Sequence, residues 1–260
     1  MEFRKYFLPL IPILGFFLLW QFLADHHLIN NALFPAPSAI CTELILLYKQ
    51  QIAGNSVLMT NIVITLIRLL YAALMGMITG ILAGTLMGLN RRFYRFFDPV
   101  ITLIMPIPGI AMAPIFIIWM GFGDPTIITV GAIATFFPVA CNTCTGVRST
   151  DMQMVRAARI MGASNITILT NVYLPWAAIY IFTGIKLGLA RCWRTVIAVE
   201  FIAAANWGLG YMIWDAAEYL RAGLVYGGII LLALIFITIE KGVIGLFERM
   251  TIKKWGMVRN

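Results

Sequence analysis

Polar positions divide this chain into long uncharged stretches separated by short charged ones. Tyr6–Ala24, Leu69–Asn90, Pro99–Gly123, Pro125–Val147 and Ala222–Ile239 each contain no Asp, Glu, Lys or Arg. About 20 apolar residues in a helix cross the hydrocarbon core of a bilayer. A soluble domain buries one such helix, not five. A sixth apolar segment, 175–204, is interrupted by Lys186, Arg191, Arg194 and Glu200. The pattern predicts an all-α membrane protein, one domain over 1–260, with six transmembrane helices. They fall at about 6–24, 61–89, 99–120, 126–147, 175–204 and 222–246.

Between the spans the signals are local. Phe34-Pro35-Ala36-Pro37-Ser38 enforces an extended turn before an interfacial helix at about Ala39–Gln51. Span two carries Gly76, Gly80, Gly84 and Gly88 at four-residue spacing, a small-residue stripe that lets a second helix approach its backbone. Span three holds Pro106, Pro108 and Pro114, each of which removes an amide donor and bends or breaks a helix. Broken helices survive in a bilayer where they are buried in protein or line a cavity, so Pro106 and Pro108 are candidates for a translocation path. Asn142, in the polar inner half of span four, is another. Glu200 is a fourth, because an ionisable group at membrane depth is costly and faces protein or water. Asn206–Arg221 reads as an outer loop, with Trp207, Tyr211, Trp214 and Tyr219 forming an aromatic belt.

Composition sharpens the picture: 61% of the residues are hydrophobic and 12% charged, against about a quarter charged in a soluble domain. The net charge of +8 suggests a nucleic-acid partner until its distribution is read. Arg4 and Lys5; Arg91, Arg92 and Arg95; Arg148, Arg156 and Arg159; and Arg249, Lys253, Lys254 and Arg259 cluster at alternate ends of the apolar runs. That alternation marks cytoplasmic loops in a bacterial inner membrane, with both termini inside. It also requires an even number of spans, hence the fifth one despite its charges. No nucleic acid is implied. The apolar N-terminal run is interrupted by Pro9 and Pro12 and lacks a small-x-small cleavage site, so it reads as an uncleaved span. Cys141 and Cys144 form a CxxC inside a helical run, where packing is expected rather than metal binding. His26 and His27 lie outside with no metal-type cluster near them, and no metal site is expected.

The cytoplasmic segment between spans four and five is the most informative. Asp151 is placed to cap a short helix at about 151–164 with an apolar face of Met154, Val155, Ala158 and Met161, and Gly162 to end it. Such a helix suits a groove on a partner protein. The run Arg156-Ala157-Ala158-Arg159-Ile160-Met161-Gly162-Ala163-Ser164, followed by Leu174-Pro175, resembles the EAA motif of ATP-binding-cassette importer permeases. Leu33–Ser38, Pro106-Ile107-Pro108, Phe136-Phe137-Pro138, Gly146-Val147-Arg148 and Gly208-Leu209-Gly210-Tyr211 extend the resemblance, in particular to the nitrate/sulfonate/taurine branch, over nearly the whole chain. Arg156 stands where the family has its first glutamate, so any salt contact of that glutamate does not carry over.

The resemblance implies a homodimer of six-span subunits whose 151–164 segment is a coupling helix. Arg156, Ala157, Ala158, Gly162, Ala163 and Ser164 would dock into cytosolic ATPase subunits. An extracytoplasmic substrate-binding protein would deliver a small anion to the outer face. The sequence has no phosphate-binding P-loop, so ATP and Mg are expected on the partner ATPase and no cofactor on this chain, which is not expected to be an enzyme. The alternative is an ion-coupled secondary transporter, for which only Glu200 and Glu240 offer intramembrane acids.

Overall fold

A computed structural model describes residues 10–244, and most of them are helical. An apolar solvent favours this, because a helix satisfies its own backbone donors and acceptors. Helices α1 (Leu10–Asp25) and α2 (Pro37–Lys49) lead through a two-residue-per-strand hairpin, β1 (Gln51–Ile52) and β2 (Asn55–Ser56), into α3 (Val57–Leu89). Then follow α4 (Arg91–Ile104), α5 (Gly109–Met120), α6 (Asp124–Arg148), α7 (Met152–Ile160) and α8 (Asn165–Ile168). A π-helical turn, Leu169–Tyr173, joins α8 to α9 (Leu174–Ala203). Helices α10 (Leu209–Glu218) and α11 (Ala222–Ile239) complete the fold, with a second π turn at Glu240–Ile244.

The core is three helices, α6 packed between α3 and α9, and glycines set the spacing. A Cβ at Gly80 would lie 2.8 Å from Val139 Cβ, and one at Gly88 would lie 2.6 Å from Val147 Cβ. At Gly76 and Gly84 it would strike the carbonyl oxygens of Ala132 and Ala140. The four-residue stripe is therefore a contact surface along its whole length. On the other side of α6, Gly184 would meet Asn142 Cβ at 2.9 Å and Gly188 would meet Thr135 O at 3.1 Å. This second stripe is not among the sequence expectations. Apolar burial adds no drive for helices to associate in lipid, so close backbone approach of this kind provides the attraction.

Contact order gives direction. Gly76, Gly80, Gly84 and Gly88 meet successively later residues of α6, so α3 and α6 run parallel. Gly131, Gly146, Gly184 and Gly188 pair α6 with α9 in the opposite sense. Two parallel neighbours require the intervening chain to return across the full height of the bundle. The α4–α5 pair makes that return, bent by 101° at the break between Ile104 and Gly109. The span expected at 99–120, with prolines that bend or break it, is two helices, and the first begins at Arg91. Met105–Pro108 is the break because Pro106 and Pro108 cannot donate backbone hydrogen bonds.

Among the described residues four helices are long and apolar enough to cross a membrane, or five if the bent pair counts as one. Helix α1, at 16 residues, would reach about 24 Å, short of the hydrocarbon core. Tyr6–Pro9, with which the expected first span begins, and the basic tail from Arg249 onward lie outside the described residues. So do the last residues of the span expected to 246. Span two starts earlier than expected, at Val57, where Ser56 caps the helix. Asn206–Arg221 is largely not a loop: α10 occupies Leu209–Glu218 and buries Leu209, Met212, Ile213 and Ala216. Elsewhere the helices present their apolar side chains outward. Ile118, Trp119 and Leu103 are all more than two-thirds exposed, as lipid-facing residues would be.

Candidate functional site

Three places bear on the candidate residues. The first is at the Asp124 end of α6. The Glu200 carboxylate has no accessible surface and accepts from three donors: Arg68 Nη1 at 2.9 Å, Gly210 N at 2.9 Å and Thr65 Oγ1, whose single proton is shared between the two oxygens at 2.9 and 3.0 Å. Arg68 also binds Asp124 Oδ1 through Nε and Nη2, at 2.8 and 2.7 Å, and donates to Trp207 O at 2.6 Å. The start of α10 has no local cap. Its first amides go instead to α3 and α9: Gly208 N to Asn61 Oδ1, Leu209 N to Thr65 Oγ1 and Gly210 N to Glu200. A carboxylate at a helix N-terminus is favoured by the dipole as well as by these bonds.

The Gly208-Leu209-Gly210 pattern follows directly. A Cβ at Gly208, whose φ is +138°, would lie 2.6 Å from Arg68 Nη1, and one at Gly210 would lie 2.7 Å from Glu200 Cβ. Glu200 is therefore a structural tie among α3, α9 and α10 and not, in this conformation, a wall of a path. The sequence named Glu200 but not Arg68, which sits inside an otherwise apolar span.

The second place is a cavity of about 270 Å³ at the α4–α5 break. Pro106 and Pro108 line it, together with Met112, Phe137, Arg191 and Thr195. Two of the four path candidates thus meet here. Asn142 does not, because its Nδ2 donates to Pro138 O in its own helix at 2.8 Å. A larger cavity of about 510 Å³ between α3, α4 and α6 is lined only by apolar residues such as Met87, Phe97 and Ile101. It offers nothing to orient a polar solute.

The third place is α7. Asp151 caps it by accepting from Gln153 N at 2.8 Å. Its C-terminus closes as a Schellman motif, with Ala163 N bonded to Ala158 O and Gly162 N to Arg159 O, both at 3.0 Å. Gly162 takes φ +79°, the left-handed value the motif requires. Val155 and Ala158 pack inward on Ile168, with Ala163 and Tyr173 beside them. The apolar face expected to run through Met154, Val155, Ala158 and Met161 is therefore divided. Ala158 is spent on the chain's own fold and is unavailable for docking, whereas Met154 and Met161 are exposed with Ile160 and Ile166. Arg156, Ala157 and Ser164 are exposed too. A Cβ at Gly162 would meet nothing within 4 Å. Gly162→Ala is therefore expected to cost about 1–2 kcal/mol locally, from backbone conformation alone. Faster amide hydrogen exchange confined to α7 would show it.

The family model for the binding-protein-dependent transport system inner membrane component matches residues 76–246, from the glycine stripe through α7 to α11. The chain belongs to this family. This permease is 34% identical to the taurine transport system permease protein TauC of Escherichia coli K12, over 89% of this chain and 84% of the relative. It is 31% identical to the bicarbonate transport system permease protein CmpB of Synechococcus elongatus, over 92% and 84% of the two chains. A putative aliphatic sulfonates transport permease protein, SsuC of Bacillus subtilis, is 30% identical over 84% and 76%. Among solved structures, a chain of the inward-facing MetNI methionine ABC transporter superposes with TM-score 0.59 at 19% identity, covering 73% of this chain and 95% of that one, a likeness of fold. Family membership sets aside the ion-coupled secondary transporter, and Glu200, tied to Arg68, offers no free acid for such coupling.

Proposed function

We propose that this permease is the six-span half of a homodimeric importer in a bacterial inner membrane, both termini cytoplasmic, which moves a small anion and is driven by a separate cytosolic ATPase. The apolar run at about 6–24 would supply the first span, and an extracytoplasmic binding protein would deliver the solute. Relatives named for taurine, sulfonates and bicarbonate favour an anion. ATP and Mg would reside on the ATPase, and the permease itself would catalyse nothing.

The observation that carries the coupling is the divided face of α7. Val155 and Ala158 fasten the helix to its own subunit, while Ile160 and Met161, 87% and 80% exposed, pack against nothing in the subunit's core. Apolar side chains on a rigid, capped helix are the natural anchors for a groove on a partner. The arginine-rich cluster of Arg148, Arg156 and Arg159 supports a cytoplasmic position for this end.

Met161→Arg tests it. The variant is expected to fold and melt like the native permease, because Met161 is 80% exposed, and to lose co-purification of the ATPase in mild detergent. Retention of the ATPase at native stoichiometry by both Met161→Arg and Ile160→Asp would overturn the docking assignment.

A further inference from the structure

The break between α4 and α5 sets three unsatisfied donors around one cavity. Arg191, on α9, forms no hydrogen bond or ion pair among the described residues, although it lies in the middle of a membrane-depth helix. Thr195, one turn further along α9, is 93% buried with its side chain lining the same cavity, and its hydroxyl has no partner among the described residues. The 12-residue α5 starts at Gly109 on the cavity wall with no side-chain cap. The leading amides of a helix have no intrahelical acceptor and carry the positive end of its dipole. A Cβ at Gly109 would lie 2.5 Å from Thr195 Cγ2 and 2.9 Å from its Oγ1, so only glycine lets the start of α5 come this close to α9.

An unpaired guanidinium at membrane depth is expensive. Arg68 shows what this chain does with a structural one: it is saturated by Asp124, Glu200 and Trp207 O. Arg191 has no such set, and no acid is among the residues lining the cavity. Discontinuous helices elsewhere direct half-helix N-termini at anionic solutes in the same way.

We propose that Arg191, Thr195 and the N-terminus of α5 form an oxyanion subsite within the translocation path, sized for a sulfonate, carboxylate or carbonate group. The proposal rests on the importer reading and deepens it. Arg191 supplies the charge and a planar pair of donors, Thr195 a hydroxyl, and α5 its free amides. The apolar side of the cavity, Met112 and Phe137, receives a short organic tail. At about 270 Å³ the cavity falls just below the usual range for small-molecule sites, which suits a solute of a few heavy atoms.

The test uses the permease assembled with its ATPase in lipid nanodiscs and titrated with ethanesulfonate. Ethyl methyl sulfone serves as the uncharged probe of similar size, and the readout is the melting temperature of the permease. Ethanesulfonate is expected to raise it and the sulfone to leave it unchanged. Arg191→Gln is expected to weaken apparent ethanesulfonate affinity by about 10- to 100-fold and Thr195→Val by about 3- to 10-fold, with Arg191→Lys intermediate. Arg194→Gln, one residue-step off the cavity and exposed, is expected to bind as the native protein does. An ethanesulfonate shift that survives Arg191→Gln overturns the subsite. So does the absence of any shift with ethanesulfonate, bicarbonate or nitrate in an assembled native complex, and both results leave the importer assignment standing. Failure of the complex to assemble at all counts against that assignment instead.

Discussion

Arg68→Met is expected to be the most damaging single substitution in the bundle, lowering stability by about 3–5 kcal/mol. The cost comes from what stays behind. With Arg68 gone, the Glu200 carboxylate remains fully buried with only Thr65 and Gly210 to hold it, and Trp207 O loses its donor. Adding Glu200→Gln should recover most of the loss. The neutral amide oxygen still accepts from Gly210 N, and a buried pair replaced as a pair is often close to neutral. Asp124→Asn, at the solvent-facing side of the same guanidinium, should cost less than about 1 kcal/mol, because Asp124 is 62% exposed and its attraction is screened. Melting of the four proteins in one detergent checks the order. If Arg68→Met proves no worse than Asp124→Asn, the network is not what ties α3, α9 and α10 together.

Gly84→Leu is the second large effect, and it acts by excluding volume. Any Cβ at this position strikes Ala140 O and would lie 2.7 Å from Thr143 Cβ. Backbone cannot step aside, so α3 and α6 must separate. Separation also opens the contacts at Gly80 and Gly88, since the four glycines lie along one line. Even Gly84→Ala is expected to cost about 1–3 kcal/mol, the usual range for forced overpacking, and the leucine variant to give little folded permease. Gly15→Leu on α1, where a Cβ meets nothing within 4 Å, is the control and should express normally. Yield of monodisperse protein by size-exclusion chromatography separates the outcomes. Equal yields for Gly84→Leu and Gly15→Leu would contradict the packing described for α3 and α6.

What the sequence revealed, it revealed through short-range patterns. The glycine stripe of α3, the Asp151 cap and the left-handed Gly162 each follow from spacing within one helix, and each stands where it was expected. Prolines at 106 and 108 marked the position of the break, but neither its 101° bend nor the approach of Gly109 to Thr195, 87 positions further on from Pro108, follows from them. Helix α10 was hidden for the same kind of reason. Its start looks like a glycine-rich turn, because its capping groups, Asn61, Thr65 and Glu200, come from other elements. Arg68 was obscured by its neighbours: one charge in a 33-residue apolar helix reads as a blemish until its partner is known. Ala158 illustrates a further limit. An apolar periodicity shows which residues share a face but not whether the chain itself or a partner covers it.

The π turn at Leu169–Tyr173 leaves the helix unbroken from Asn165 to Ala203. Ile168, which anchors the inner face of α7, and Arg191 therefore sit on a single stiff lever, about 35 Å apart at 1.5 Å per residue. The opposite wall of the cavity, Pro106 to Gly109, belongs to the separate α4–α5 pair. A push at the Ile168 end of the lever would displace Arg191 and Thr195 relative to the first amides of α5, which no side chain caps. The two halves of the proposed anion subsite are thus mounted on different helical segments, α9 and the α4–α5 pair. The force that reorients the permease would be the same one that loosens its hold on the cargo.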